Sequence, residues 1–440
     1  MTVGSETAVN EKALARRVKD HVIGSLHDFF AIVQPGFEET AGQELRRLGI
    51  AEVKSRTTGG IEFTAKLNDA YRVNLGAGTV SRLLLRLFHF KATGFGEFCE
   101  KMTALPWELY LKDKTRVSFS ISTGRSRLWH KGRLQQETEK AVHNRLAAYG
   151  REITFHRSAG VTNAVEQVIF IRLDQNHCQV SLDSSGELLY QRGYGKYNEK
   201  APLRETLACC ILRAASIDRY QILLDPFCGS GTFSLEAGFI FSGRPCNLHR
   251  DFAFQNWPSF RPVAYQHLKE QLALEFKSRA PAGINRIYCS DISEKAVKTT
   301  SRNLTVTSLE SLIEVRQADF FQSRLRAGDP GSVLLVLNPP YGTRLGRPAD
   351  IIGLYRRLGE KIRRDFKGCG YAIIVPDLEL EKTLSLPHDQ KILFRNGGLS
   401  VSLLIKQGFL HSENQDGEAC RPKAGVCAPG YLKKQKSENF

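Results

Sequence analysis

Long apolar runs are missing from this chain. No stretch approaches the ~20 consecutive apolar residues that a membrane helix needs, although 42% of the residues are hydrophobic. No membrane partner is therefore expected, while real cores remain affordable. The polar, charged segment from Met1 to Asp20 lacks the apolar centre of a secretory signal. Paired cysteines are missing as well. Ten cysteines are present, but none stands in Cys-x-x-Cys spacing; only Cys209 and Cys210 adjoin, and Cys420 and Cys427 share a polar tail. That scatter fits reduced thiols in a cytoplasmic protein and argues against a disulfide framework or a zinc site, so no metal is expected.

Negative charge is also in deficit. Lysine and arginine number 62 against 46 aspartates and glutamates, a net +16 at pH 7. Such an excess favours a polyanion, because binding releases counterions condensed on its phosphates; it also serves solubility. The stretch "KDKTRVSFSISTGRSRLWHKGR" (112–133) interleaves basic residues with Gly, Ser and Trp129. Basic loops beside an aromatic suit a surface that tracks phosphates.

At 440 residues the chain is long enough for two or three domains. Residues 1–27 read as a flexible leader. Strand-like "FFAIV" (29–33) turns through Pro35-Gly36 into a helix with Ala41, Leu45 and Leu48 on one face. A hairpin around Gly59-Gly60, helical "LNDAYRVNL" and apolar "SRLLLRLFHF" (81–90) follow. Then come the strand 116–122, a helix near 134–148, and strands 167–173 and 178–184 bent at Asp174-Gln175-Asn176. The first ~185 residues thus form one or two small α+β units.

The second half changes rhythm. Strand candidates 221–225, 286–291, 312–316, 333–338 and 371–377 alternate with helices, the pattern of a mainly parallel sheet covered on both faces. The helix 351–366 lines up Ile351, Tyr355, Leu358, Ile362 and Phe366, with arginines opposite. "KILFRNGGLSVSLLIKQG" (391–408) closes the fold as an antiparallel hairpin through Asn396-Gly397-Gly398. The segment 411–440 lacks periodicity and is expected to be disordered.

Ligands of open α/β sheets bind at the carboxyl ends of strands. The first end reads "LLDPFCGSGTFSLEA" (223–237): Asp225 closes the strand, and Gly229-Ser230-Gly231 make an unobstructed loop before a helix. With Ser234 where a third glycine would stand, and no Gly-Lys-Ser/Thr, this is neither a dinucleotide fingerprint nor a P-loop. The second end is Asp291, placed to accept from ribose hydroxyls or to cap the next helix. The third is Asp319, beside amides that suit an adenine edge. Together these tips suit a nucleoside with a charged tail, S-adenosylmethionine rather than a dinucleotide.

The fourth end is "VLLVLNPPYGTRLG" (333–346). Pro339 and Pro340 fix φ and remove two backbone donors, leaving carbonyls and the Asn338 side-chain oxygen as acceptors. Two acceptors side by side hold a planar NH2 group, and Tyr341 can stack on the ring that carries it. A tight turn with a packed tyrosine is the plainer alternative.

"DPFCGSGTFSLEA" with "NPPYGTRLG" resembles class I S-adenosylmethionine-dependent methyltransferases acting on exocyclic or amide nitrogens. Within them the chain resembles the THUMP-domain RNA guanine-N2 methyltransferases, above all the bacterial 23S ribosomal RNA enzymes in a single-methyltransferase form. The linker "LYQRGYGKYNEKAPLRETLACCIL" (189–212) is similar to the family's segment before the donor site. The resemblance implies a Rossmann-like methyltransferase domain over 186–410. It also implies an α+β RNA-binding region before it, ferredoxin-like over 28–75 and THUMP-like over 76–185. It implies that Asp225, Cys228, Gly229, Ser230 and Gly231 form the donor loop, with Pro202 and Glu205 at the methionine end. Asp291 would hold the ribose and Asp319 the adenine, while Asn338, Pro339, Pro340 and Tyr341 would bind the target base. The implied partner is structured RNA, with 23S ribosomal RNA as the first reading and transfer RNA guanine-N2 methylation as the alternative. DNA adenine-N6 and protein glutamine methyltransferases use the same clamp, and a non-catalytic RNA-binding assembly factor is the reading from outside the class. The basic N-terminal half favours RNA.

Overall fold

The computed structural model describes residues 11–156, 167–195, 197, 203–280, 286–324, 329–340 and 348–409. They form two compact units. The first takes the described residues up to Gly195 with Arg204–Cys210 and Gly243–Arg279; the second takes Tyr197, Leu203, Ile211–Ser242 and the described residues beyond Arg279.

In the first unit lie β1 (His27–Val33), β2 (Val53–Thr57), β3 (Gly60–Ala65), β4 (Val80–Lys91), β5 (Thr115–Gly124), β6 (Ile153–Phe155), β7 (Gln167–Asp174) and β8 (His177–Asp183). They build one sheet in the order β2-β3-β1-β4-β8-β7-β5-β6. Period-two alternation decides its packed face: Phe29, Ala31 and Val33 are buried, while Asp28, Phe30 and Ile32 between them are half-buried. Helix Glu38–Arg47 buries Ala41 and Leu45, and helix Lys131–Ala147 buries Leu134, Ala141, Val142 and Leu146. Gln175 and Asn176, both with positive φ, make the two-residue loop that joins β7 to β8.

Three boundaries differ from expectation. The leader is helical over Glu11–Val18 and Lys19–Ile23, because Leu14, Val18 and Val22 are spaced to share a face and are buried in the core. The regions expected as separate units over 28–75 and 76–185 share one sheet, since β1 pairs with β4 through Phe29 opposite Leu85. Finally, Gly243–Arg279, expected inside the second domain, packs into the first unit. Phe254 stacks on Tyr71 at 4.0 Å, and Trp257 Nε1 donates to Gln167 Oε1 at 2.7 Å. Burial of these rings outweighs their place in the chain.

The second unit holds β9 (Ile222–Asp225), β10 (Arg286–Asp291), β11 (Ile313–Gln317), β12 (Val333–Leu337), β13 (Gly370–Val375), β14 (Gln390–Asn396) and β15 (Leu399–Lys406). Their order is β11-β10-β9-β12-β13-β15-β14. The first five run parallel, and β15 is antiparallel to both neighbours. This is the Rossmann-like architecture with a terminal hairpin. Every residue of β12 and β13 is buried, as parallel strands covered on both faces require. Tyr355, Leu358 and Ile362 pack the helix Pro348–Asp365 against that core, with Arg356, Arg357, Arg363 and Arg364 exposed. Gly397 and Gly398, at φ 56° and 88°, turn β14 into β15.

Candidate active site

The strand order reverses between β9 and β12, and the crevice at such a reversal receives ligands. The chemistry of the second unit gathers there. Asp225 ends β9, Asp291 ends β10 on one side, and Asn338 follows β12 on the other; Asp319 lies beyond β11.

Asp225 is 1% exposed. Its Oδ2 accepts from Ser234 Oγ at 2.8 Å, but its Oδ1 is buried without a partner. Burial raises its pKa to about 7; the Ser234 bond opposes this and the nearby Asp291 charge adds to it. From Asp225 the chain enters the loop Cys228–Gly231. Cys228 N donates to Ser290 O at 3.0 Å, and Gly231 N to Cys228 O at 2.7 Å. Both glycines have positive φ, Gly229 at 54° and Gly231 at 81°. A side-chain carbon on Gly229 would meet nothing within 4 Å, whereas one on Gly231 would come within 2.8 Å of Thr300 Cγ2. Gly229 thus faces open space and Gly231 faces a wall. The Cys228 thiol is held well above its usual pKa by its hydrogen bond with Cys289 and by burial, so it is no thiolate nucleophile.

Asp291 braces the loop with one oxygen and the next helix with the other. Its Oδ2 accepts from Gly229 N at 3.0 Å and its Oδ1 from Ser293 N at 2.9 Å. Asp319 caps the short turn Phe320–Gln322, accepting from Phe321 N at 2.9 Å. Pro339 is buried, and Asn338 Oδ1 is buried with no hydrogen-bond partner. A buried carbonyl oxygen left bare costs about 1–3 kcal/mol, which a ligand donor would recover. Glu205 opens the helix Glu205–Ala214 and is buried. Pro202 and Tyr341 lie outside the described residues.

Sequence reasoning missed the shell behind the loop. Thr300 Oγ1 donates to Gly229 O at 2.8 Å, and Asn303 Nδ2 donates to Ser230 O at 2.9 Å. Asn303 also exchanges two bonds with the backbone of Tyr197, through Oδ1 at 2.8 Å and Nδ2 at 2.9 Å. One amide therefore fastens the glycine loop to the linker. The available signal was Thr300, Asn303 and Thr307, polar residues at helical spacing on the buried face of Glu294–Thr307.

Residues 192–405 match the family described as "RMKL-like, methyltransferase domain", and residues 28–84 match the "RlmL ferredoxin-like domain". A Ribosomal RNA large subunit methyltransferase K/L of Syntrophotalea carbinolica is 32% identical over 386 residues, 86% of this chain and 53% of that protein. The chain thus spans about half the length of the K/L proteins it matches first. A Synechocystis protein carrying the provisional name of an RNA methyltransferase is 29% identical over 86% of this chain and 95% of its own length. Among solved structures, SMU.472, a protein provisionally assigned as a methyltransferase and complexed with SAH, superposes with a TM-score of 0.75 at 27% identity. That match covers 88% of this chain and 99% of SMU.472.

Proposed function

Because the chain carries an RMKL-like methyltransferase domain and an RlmL ferredoxin-like domain, we propose that it methylates the exocyclic N2 of a guanine in structured RNA, with large-subunit ribosomal RNA as the substrate and S-adenosylmethionine as the donor. The observation that carries the choice of nitrogen is the bare, buried Asn338 Oδ1 at the sheet's switch point. It is an acceptor without a donor, at the tip that follows β12, and an amino group supplies what it lacks.

The second bare oxygen, Asp225 Oδ1, supports the donor assignment. A buried carboxylate oxygen fits the cationic amine of the methionine end, and the open face of Gly229 leaves room for a ligand against the backbone. We assign Asp291 to the ribose, through the lone pairs its two backbone bonds leave free, and Asp319 to the adenine. When bound, the donor supplies a sulfonium-activated methyl group.

The protein's part is alignment and exclusion of water. Guanine N2 is a poor nucleophile because its lone pair is delocalised into the ring. Hydrogen bonds from its NH2 to Asn338 Oδ1 and the Pro339 carbonyl would hold the nitrogen nearer a tetrahedral shape, with the lone pair turned toward the donor. The proton leaves after transfer, so no strong base is required. A paired guanine must first leave its stack, at a cost of a few kcal/mol. We assign the basic region over 76–185 the task of holding the RNA.

Labelled S-adenosylmethionine should be incubated with 23S rRNA and separately with tRNA, each lacking its own methyl groups, and the digests analysed by mass spectrometry. N2-methylguanosine in the ribosomal pool is the expected product. N2-methylguanosine in tRNA alone overturns the ribosomal substrate, N6-methyladenosine overturns the guanine, and donor binding without transfer overturns catalysis. Asn338→Ala should lower turnover at least ~100-fold with RNA affinity kept; retained turnover would remove the clamp.

A further inference from the structure

Of three tryptophans, Trp107 and Trp257 are fully buried while Trp129 is 70% exposed. Tryptophan is highly buried on average, so an indole this exposed leaves a large flat face open for stacking. It follows Leu128, which is anchored in the core of the first unit. The loop around it is built rather than loose. Arg127 N donates to Asn176 Oδ1 at 2.8 Å, Asn176 N to Ser126 Oγ at 3.0 Å, and Thr123 Oγ1 to Trp129 O at 3.3 Å. Arg125 makes two bonds to Asp174, at 3.3 and 3.2 Å. Arg125 also holds positive φ, which costs about 1–2 kcal/mol and persists only where its surroundings impose it, beside the β7–β8 turn Gln175-Asn176. Arg125, Arg127, Trp129 and Asn176 line an open surface pocket of about 420 Å³.

The charges complete the picture. Arg125 is neutralised by Asp174, but no carboxylate pairs with Arg127 or Lys131 among the described residues. A solvent-facing aromatic plane that shares a pocket with a guanidinium lacking a carboxylate partner among the described residues suits one nucleotide: the base stacks and the phosphate meets the cation. A paired base offers no free face, whereas every unpaired base does.

We propose that Trp129 and Arg127 form a stacking subsite for an unpaired nucleotide of the RNA substrate. The inference rests on the RNA reading given above and adds which feature of the RNA the first unit holds: a loop, bulge or end rather than a duplex.

Tryptophan emission tests it directly, since Trp129 is the only tryptophan a quencher in water can reach. The full chain is titrated with a ten-nucleotide oligoadenylate, a matched RNA duplex and polyglutamate, with acrylamide quenching followed at each point. Oligoadenylate should shield Trp129; the duplex and polyglutamate should not. Trp129→Ala should weaken oligoadenylate binding about 5- to 100-fold, and Trp129→Phe should restore most of the loss. Arg127→Gln should flatten the salt dependence by roughly 0.7 in log–log slope. Equal thermal midpoints confirm that the variants are folded. Equal shielding by duplex or polyglutamate, or unchanged affinity in Trp129→Ala, overturns the subsite. Methyl transfer to ribosomal RNA is measured in parallel. Transfer with unchanged affinity in Trp129→Ala removes the stacking site alone, whereas an unaltered chain that neither binds nor methylates RNA removes the RNA reading itself.

Discussion

Asp225, Asp291 and Asp319 all sit at strand ends, yet their surroundings give them different work. Asp291 accepts from Gly229 N with one oxygen and from Ser293 N with the other, so its carboxylate already positions the loop and the next helix and meets a ribose only through its remaining lone pairs. Asp225 has one oxygen on Ser234 and one bare. Burial raises its pKa from the ordinary 3.8 to about 7. The folded protein thus prefers the protonated carboxyl; the stability this contributes is complete below about pH 4 and is lost as pH rises toward 7. A bound ammonium reverses that preference. Donor affinity should therefore strengthen between about pH 5.5 and 7, where the ligand's own amine stays protonated, by up to tenfold per pH unit. Calorimetry with S-adenosylhomocysteine at constant ionic strength measures it. Asp225→Asn should abolish the slope; the same slope in both proteins would separate Asp225 from the amine.

The loop and its helix make a different prediction, because Gly229 and Gly231 share a conformation but not an environment. Gly231→Ala adds a carbon against Thr300 and should cost stability, about 2–3 kcal/mol from strain and crowding together. Gly229→Ala should cost only the strain, about 1–2 kcal/mol, yet weaken donor binding more, since its carbon would fill the space a ligand needs. Thermal melts beside donor titrations separate the two, and a ranking identical in both assays would deny Gly229 any ligand-facing role. Asn303→Ala should loosen both Ser230 and Tyr197, lowering donor affinity roughly tenfold. These elements also mark how far the sequence could be read. The parallel strands were plain because burial on both faces makes continuous apolar runs, and their tips are punctuated by aspartate, glycine and proline. The β14–β15 turn was plain because Asn-Gly-Gly tolerates positive φ. The helix Glu11–Val18 was not, because three apolar residues among charges acquire meaning only from the core that covers them. Nor was the attachment of Gly243–Arg279 to the first unit, which depends on contacts such as Tyr71 with Phe254 that no local pattern encodes.

For the molecule as a whole, the net charge of +16 has two explanations that salt can separate. If it serves solubility, the salt dependence of activity should be shallow for both substrates. If it serves RNA, only one of them should respond. If the surface meets about four phosphates, the log–log slope is near −2.8 for single-stranded RNA and KM for RNA should rise on the order of 50-fold between about 50 and 200 mM salt. The donor presents a single net charge to a buried site and has no condensed counterions to release, so its KM should move less than about threefold. Arg127 provides an internal marker, because its guanidinium has no carboxylate partner among the described residues. Removing it should flatten the RNA slope and leave the donor KM in place. Parallel slopes for RNA and donor would mean that the basic surface does not meet the substrate. A steep RNA slope unaltered by Arg127→Gln would keep the electrostatic reading and move its contacts elsewhere on the protein.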